Sequence, residues 1–230
     1  MAAEPEPPGS AHTPSPPDAA PMLIACALGI EQLALRSGRR RHGGASPGPV
    51  TVLRTGMGPA NAQRAVTRAL EGGELRGAAV VASGFCAGLE PGMHPGDLVV
   101  ADETRGPGGS TPCTGTELLV QALARAVPGR TVHTGPLTGS DHVVRGQERA
   151  QLRGTGAIAV DMESAATLRS ALSTGVRSRP VAAVRVIVDA PEHELVRIGT
   201  VRGGISAFRV LRSVLPAFFE WHRSLLLPRR

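Results

Sequence analysis

The strongest constraint on this chain is a recurring pattern of short strand-type runs separated by segments of helical character. Met22–Leu28, Val50–Arg54, Ala78–Gly84, Leu98–Ala101, Thr131–Leu137, Gly156–Asp161 and Val181–Val188 form the series. Several of these runs are continuously apolar rather than alternating, which marks strands covered on both faces. Helical patterns fall between them: from Glu31 through Leu35, Pro59 to Glu71, Thr116 to Val127, an Arg/Glu/Gln-rich surface helix after Val144, Met162 to Ser173, and one long element from Ser206 to Leu226. Residues 37–49, rich in Gly, Arg, Pro and Ser, predict a loop, as do Asp102 to Thr114. Strands alternating with helices predict an α/β fold: a single domain with a mostly parallel central sheet flanked by helices.

The length of 230 residues suits one such domain, and a hydrophobic content of 41% is enough for a full core. Residues 1–21 carry seven prolines (Pro5, Pro7, Pro8, Pro14, Pro16, Pro17 and Pro21) and little that could enter a core, so they read as a disordered leader and 22–230 as the domain. The leader has neither the basic n-region nor the apolar segment of a secretory signal, and no apolar run reaches the roughly 18 residues of a membrane span. Cys26, Cys86 and Cys113 are too few and too irregular for a disulfide framework or a metal site, which points to a reducing cytoplasm and no metal. The formal charge is +6 with no lysine, so every side-chain cation is Arg or His. Nucleic-acid platforms interleave cations with aromatics, and at 2% aromatic residues that class is set aside.

The chemistry candidates are three acids, each placed just after an apolar strand. Glu31 follows the first, Glu163 follows Val160 within Asp161-Met162-Glu163, and Asp189 ends the last. In open α/β sheets the strand C-termini share one edge, where ligands bind, so the three acids are expected to converge there. Two Gly-rich turns lie beside them, Thr55-Gly56-Met57-Gly58-Pro59 and Gly84-Phe85-Cys86-Ala87-Gly88-Leu89. Neither completes a dinucleotide fingerprint or a P-loop, and no cofactor is expected. His94, His133, His142 and His193 are scattered without ligand spacing; of these, His142 beside Asp141 is the one close to a predicted site segment.

Taken together, Ala27-Leu28-Gly29-Ile30-Glu31, Thr55 to Ala62, Gly84 to Leu89, Pro95 to Val100, Val160 to Ala166 and Arg185 to Asp189 resemble, in order and spacing, the nucleoside phosphorylase/nucleosidase superfamily. The plan is most similar to methylthioadenosine/adenosylhomocysteine nucleosidases, and more narrowly to the hopanoid-associated branch that removes adenine from adenosylhopane. The resemblance implies that Glu31 activates the attacking water, that Asp189 protonates purine N7, that Glu163 hydrogen-bonds the ribose hydroxyls, and that Met162 packs beneath the sugar. It places Phe85 and Gly88 among the substrate-contacting positions and lays Val143 and Val144 beside the base.

Phe85 stands where nucleosidases of small thionucleosides carry a serine, and Val143 where they stack an aromatic. Both departures favour a more hydrophobic substrate, lipid-linked adenosylhopane over methylthioadenosine or adenosylhomocysteine. The absence of arginine from Ala78–Gly84 favours hydrolysis over phosphorolysis, although Arg54 on the neighbouring strand keeps a purine nucleoside phosphorylase in play. The resemblance also implies a homodimer or larger homo-oligomer, a small-molecule nucleoside as partner and no nucleic acid. Trp221 to Arg230 mixes apolar and basic groups, so a cytoplasmic protein resting peripherally on a membrane is one option and a packed helix end the other. A non-catalytic nucleoside-binding module is the competing class; such a module has no need of a water-activating acid.

Overall fold

The structure, a computed structural model, describes residues 20–42, 46–174, 176, 178–191 and 200–227. Most of the expected leader, together with His193 and residues 228–230, lies outside the described residues. Among the described residues the strands are β1 (Met22–Cys26), β2 (Val50–Arg54), β3 (Ala79–Gly88), β4 (Leu98–Gly106), β5 (Gly109–Pro112), β6 (Val132–Gly139), β7 (Ala159–Asp161) and β8 (Val181–Asp189). The helices are α1 (Gly29–His42), α2 (Pro59–Glu71), α3 (Thr116–Ala126), α4 (Gln147–Gly154), α5 (Ser164–Ser173), α6 (Thr200–Ser213) and α7 (Leu215–Leu226).

The sheet is mixed and curls shut. β3 pairs with β7, β7 with β6, β6 with β4, β4 with β8, and β8 again with β3, a closed ring from which β1 and β2 extend on one side. Closure removes open edges from these strands. Parallel pairs outnumber antiparallel ones, but β3–β7, β4–β5 and β4–β8 are antiparallel.

Alternate residues of the apolar runs serve different layers. Met22, Ile24 and Cys26 of β1 and Ala182, Val184 and Val186 of β8 pack with α1, α3, α6 and α7, among them Phe218, Phe219 and Trp221. Leu23 and Ala25 of β1 and Val181, Ala183 and Ile187 of β8 pack with α2 and α5 through Val66, Leu70, Leu168 and Ala171. Helices on both faces are why these strands carry apolar residues on both faces.

Three expectations are corrected. The loop predicted over 37–49 is helical as far as His42, because Gly38 lets α1 press onto α6; a Cβ there would collide with the Arg212 carbonyl. The loop predicted from Asp102 to Thr114 is instead a β4–β5 hairpin, with Glu103 opposite Pro112 and Gly106 opposite Gly109. The long C-terminal element is two helices, broken at Val214 where Pro216 opens α7: proline has no N–H for the preceding turn and clashes with its carbonyls.

Candidate active site

Glu31 stands in the first turn of α1, just past the end of β1, and is 2% exposed. Such burial of a carboxylate requires hydrogen-bond partners. Three backbone N–H groups supply them: Ala27 at 2.9 Å and Leu28 at 2.8 Å donate to Oε2, and Phe85 at 2.7 Å donates to Oε1. The sequence therefore folds the start of α1 around its own acid and ties it to the middle of β3. Gly84 permits this close approach. A Cβ at that position would lie 2.5 Å from Glu31 Oε1 and 2.7 Å from Arg185 Nη1.

Glu163 is the N-cap of α5, also buried, and accepts the Gly58 N–H at 2.7 Å. The Gly-rich turn Thr55-Gly56-Met57-Gly58-Pro59 thus grips the acid through backbone, with Gly58 at φ 88°, a conformation that glycine adopts without strain. Burial pushes the Glu163 carboxyl above the usual carboxylate range, against the pull of the Arg185 charge. Asp161 plays a different part: its carboxylate pairs with Arg185 at 2.5 Å and accepts the Ser164 N–H, so it fastens the β7–α5 junction.

Asp189 ends β8 and is buried. Apolar surroundings from Val186 to Val188 were the expectation, but the structure sets the Arg149 guanidinium against its Oδ2. Asp189 Oδ1 and Arg149 Nη1 are both buried without a hydrogen-bond partner.

The three acids line one cavity of about 240 Å³, with Ala27, Leu28, Met57, Phe85, Val143, Val144, Met162 and Val188 as its apolar wall. The convergence arises differently from the one expected. β7 pairs with β3 antiparallel, not parallel. Ala87 of β3 is opposite Val160 of β7 and also opposite Asp189 of β8, while Phe85, two residues earlier, binds Glu31. Glu31 and Asp189 follow strands parallel to β3, as expected, whereas Glu163 arrives from the antiparallel β7, and the three meet over the C-terminal half of β3.

Met162, Phe85, Val143 and Val144 all line the cavity; Val144 is buried, whereas Val143 is 63% exposed at its rim. Gly88 does not line it. A Cβ there would meet Met93 Sδ at 2.8 Å and Ile187 Cδ1 at 3.3 Å, so this glycine serves packing between β3 and β8. Arg54 is exposed at the end of β2 and is not part of the lining. His142 reaches the rim, its ring nitrogens facing Asp141 at 2.7 Å and Glu148 at 3.0 Å; hydrogen bonding to Asp141 and then Glu148 raises its pKa. Cys86 also lines the cavity, but burial pushes its thiol up and away from thiolate chemistry. Among the described residues no group of three or more His, Cys, Asp or Glu could hold a metal ion.

Two residues had no predicted role. Arg185 is 1% exposed, donates from Nε to Ser164 Oγ at 2.9 Å, and neighbours Glu31 and Glu163 as well as Asp161; burial alone would lower its pKa, and the three acids outweigh that. A lone cation inside the apolar run Val181–Val188 was its signal, since a buried charge needs partners. Arg149 sits on a helix whose composition reads as surface, and nothing in that pattern marks it as buried.

Trp221 and His222 are buried in α7, and the Trp221 indole donates to the Thr114 carbonyl at 2.8 Å. The residues that suggested a membrane-facing tail are therefore core up to this point. No helix among the described residues is long and apolar enough to cross a membrane.

A ring-closed α/β domain with an acid-rich pocket walled by apolar side chains is the class that fold and site define. The sequence model of the phosphorylase superfamily matches residues 13–215, and the chain belongs to that superfamily. Solved structures share its fold. One is the 5'-methylthioadenosine/S-adenosylhomocysteine nucleosidase of Neisseria meningitidis in complex with methylthio-immucillin-A: 18% identical, TM-score 0.68, 89% of this chain and 99% of that one covered. A methylthioadenosine nucleosidase assigned in Weissella paramesenteroides gives 19% identity, TM-score 0.69 and coverage of 86% and 97%. Futalosine hydrolase of Helicobacter pylori gives 14% identity, TM-score 0.69 and coverage of 86% and 97%. No curated protein sequence matches the chain.

Proposed function

We propose that this protein hydrolyses the N-ribosidic bond of an adenine nucleoside. The observation that carries the reading is the meeting of Glu31, Glu163 and Asp189 in one apolar-walled cavity. Breaking the C1′–N9 bond builds positive charge on the sugar and negative charge on the base. Glu31, held rigid by three N–H groups, takes a proton from water as its oxygen bonds to C1′. Glu163 accepts hydrogen bonds from the ribose hydroxyls, and its charge favours the developing cation. The electron pair of the broken bond passes to the purine, which Asp189 protonates at N7. The division of labour between two carboxyl groups follows the logic of glycoside hydrolysis.

Hydrolysis is supported over phosphorolysis by the state of the arginine nearest Gly84. Arg185 is sealed from solvent, with Nη2 on Asp161 and Nε on Ser164; its unpartnered Nη1 is buried on the same side of Gly84 as the Glu31 carboxylate, whose charge would repel a phosphate dianion. In its narrowest form the reading is release of adenine from adenosylhopane in hopanoid side-chain synthesis. Phe85 and the exposed Met57 and Val143 give the cavity a greasy mouth, which suits a lipid-linked 5′ substituent. Methylthioadenosine and adenosylhomocysteine are the competing substrates, named for two of the structural neighbours.

Asp189→Asn tests the chemical reading. General acid catalysis contributes typically 10²–10⁴-fold, so the variant should lose adenine release by about 3–5 kcal/mol of barrier while keeping its circular dichroism spectrum. Turnover at the wild-type rate would overturn the role of Asp189.

A further inference from the structure

Arg149 is the buried residue of α4. Its guanidinium spans the base side of the cavity: Nη2 contacts Asp189 Oδ2, Nε donates to the Val144 carbonyl at 3.4 Å, and Nη1 is buried without a partner. One side chain thus joins the two walls between which a leaving base would sit, the Val143–Val144 segment and the end of β8. Burying an arginine is costly unless its charge is paired. Here the pair is made with the one carboxylate that the reaction needs as a proton donor; Asp189 lines the cavity, and its Oδ1 is buried without a partner.

We propose that Arg149 is a positioning residue for the leaving-base subsite: it pins Asp189 through Oδ2, turns Oδ1 toward the base, and stabilises the carboxylate left once the proton has moved. This rests on the hydrolase reading. In the loaded site the proton on Oδ1 passes to purine N7, and the C1′–N9 electron pair passes into the ring. Oδ1 is left negative with the guanidinium alongside. A cation fixed beside the conjugate base makes the proton transfer more favourable and holds the acid in one orientation. Arg149 acts through Asp189, not on the substrate. The other charged groups lining the cavity are Glu31, Asp161, Glu163 and His142, with Arg185 behind them; none contacts Asp189 through a hydrogen bond or ion pair.

The test uses Arg149→Met and Arg149→Lys with two substrates, an adenine nucleoside and 4-nitrophenyl β-D-riboside. Nitrophenolate leaves without protonation, so its release bypasses Asp189 and reports the rest of the site. Arg149→Met should lower kcat for the adenine nucleoside about 10²-fold, with KM nearly unchanged and nitrophenolate release within about threefold of wild type. Arg149→Lys should restore most of the rate. Equal losses on both substrates, a loss carried by KM instead of kcat, or an unaffected Met variant would overturn the proposal. A wild-type enzyme that releases no adenine refutes the hydrolase reading itself, whereas an active wild type with an indifferent Met variant refutes only the role of Arg149.

Discussion

Replacing Glu31 with Gln separates the structural and chemical duties of that side chain. The carboxylate accepts three backbone N–H groups, two on Oε2 and one on Oε1. A glutamine can keep its carbonyl oxygen on Ala27 and Leu28, but its NH₂ then faces the Phe85 N–H, donor against donor, at a site 2% exposed. One buried hydrogen bond is lost, and its donor is left unsatisfied, a cost of about 1–3 kcal/mol. In a protein of this size each kcal/mol moves Tm by about 2–4 °C, so a fall of roughly 4–8 °C is expected for the middle of that range. Total stabilities run to about 5–15 kcal/mol, and the variant should stay folded at 25 °C. The catalytic loss is larger. Without a base to take the water proton, kcat for adenine release should drop about 10²–10⁴-fold, or about 3–5 kcal/mol of barrier. Differential scanning fluorimetry and single-turnover adenine release read the two quantities separately. A kcat within tenfold of wild type would refute Glu31 as the base. An unchanged Tm would refute the three-donor clamp.

Two further expectations follow from the same geometry. Burial raises the Glu163 pKa, so the native state binds more protons than the unfolded chain, and stability falls as pH rises from the unfolded carboxylate value through the raised one. Glu163→Gln should therefore raise Tm at pH 7, with the gain vanishing below the unfolded value, while activity is lost; a gain that persists at low pH would contradict the sign. Gly84→Ala places a methyl 2.5 Å from Glu31 Oε1 and 2.7 Å from Arg185 Nη1, and should cost about 1–3 kcal/mol of stability together with most of the activity, measured by denaturant titration and adenine release. A silent Gly84→Ala would show that the two side chains can part freely.

Much of this arrangement was legible before the structure because it rests on local pattern. Continuously apolar runs announced strands sandwiched between helices, and an acid just past such a run is costly enough to call for a reason, which is how Glu31, Glu163 and Asp189 were found. What sequence did not show depends on contacts made at a distance. The antiparallel direction of β7 against β3 leaves no local mark, so the route by which Glu163 joins the ends of β1 and β8 was not legible. Gly38 reads as a helix breaker until α6 is seen to need its bare backbone. The hairpin of β4 and β5 hides in Gly106-Pro107-Gly108-Gly109, composition that a loop would share. Arg149 is the sharpest case: four neighbouring polar residues disguise a side chain that turns inward to reach Asp189. Arg185 was available to inspection as a cation in an apolar strand, whereas its three acidic neighbours come from separate segments and only the fold assembles them.

The measurement that bears most directly on the account is mass spectrometry of the products formed from adenosylhopane, methylthioadenosine, adenosylhomocysteine and inosine, each with and without phosphate. Free adenine with an unphosphorylated sugar, at a rate indifferent to phosphate and highest for the lipid-linked substrate, is the predicted result. Ribose 1-phosphate formed only when phosphate is present, or adenine nucleosides recovered intact after prolonged incubation, would contradict it.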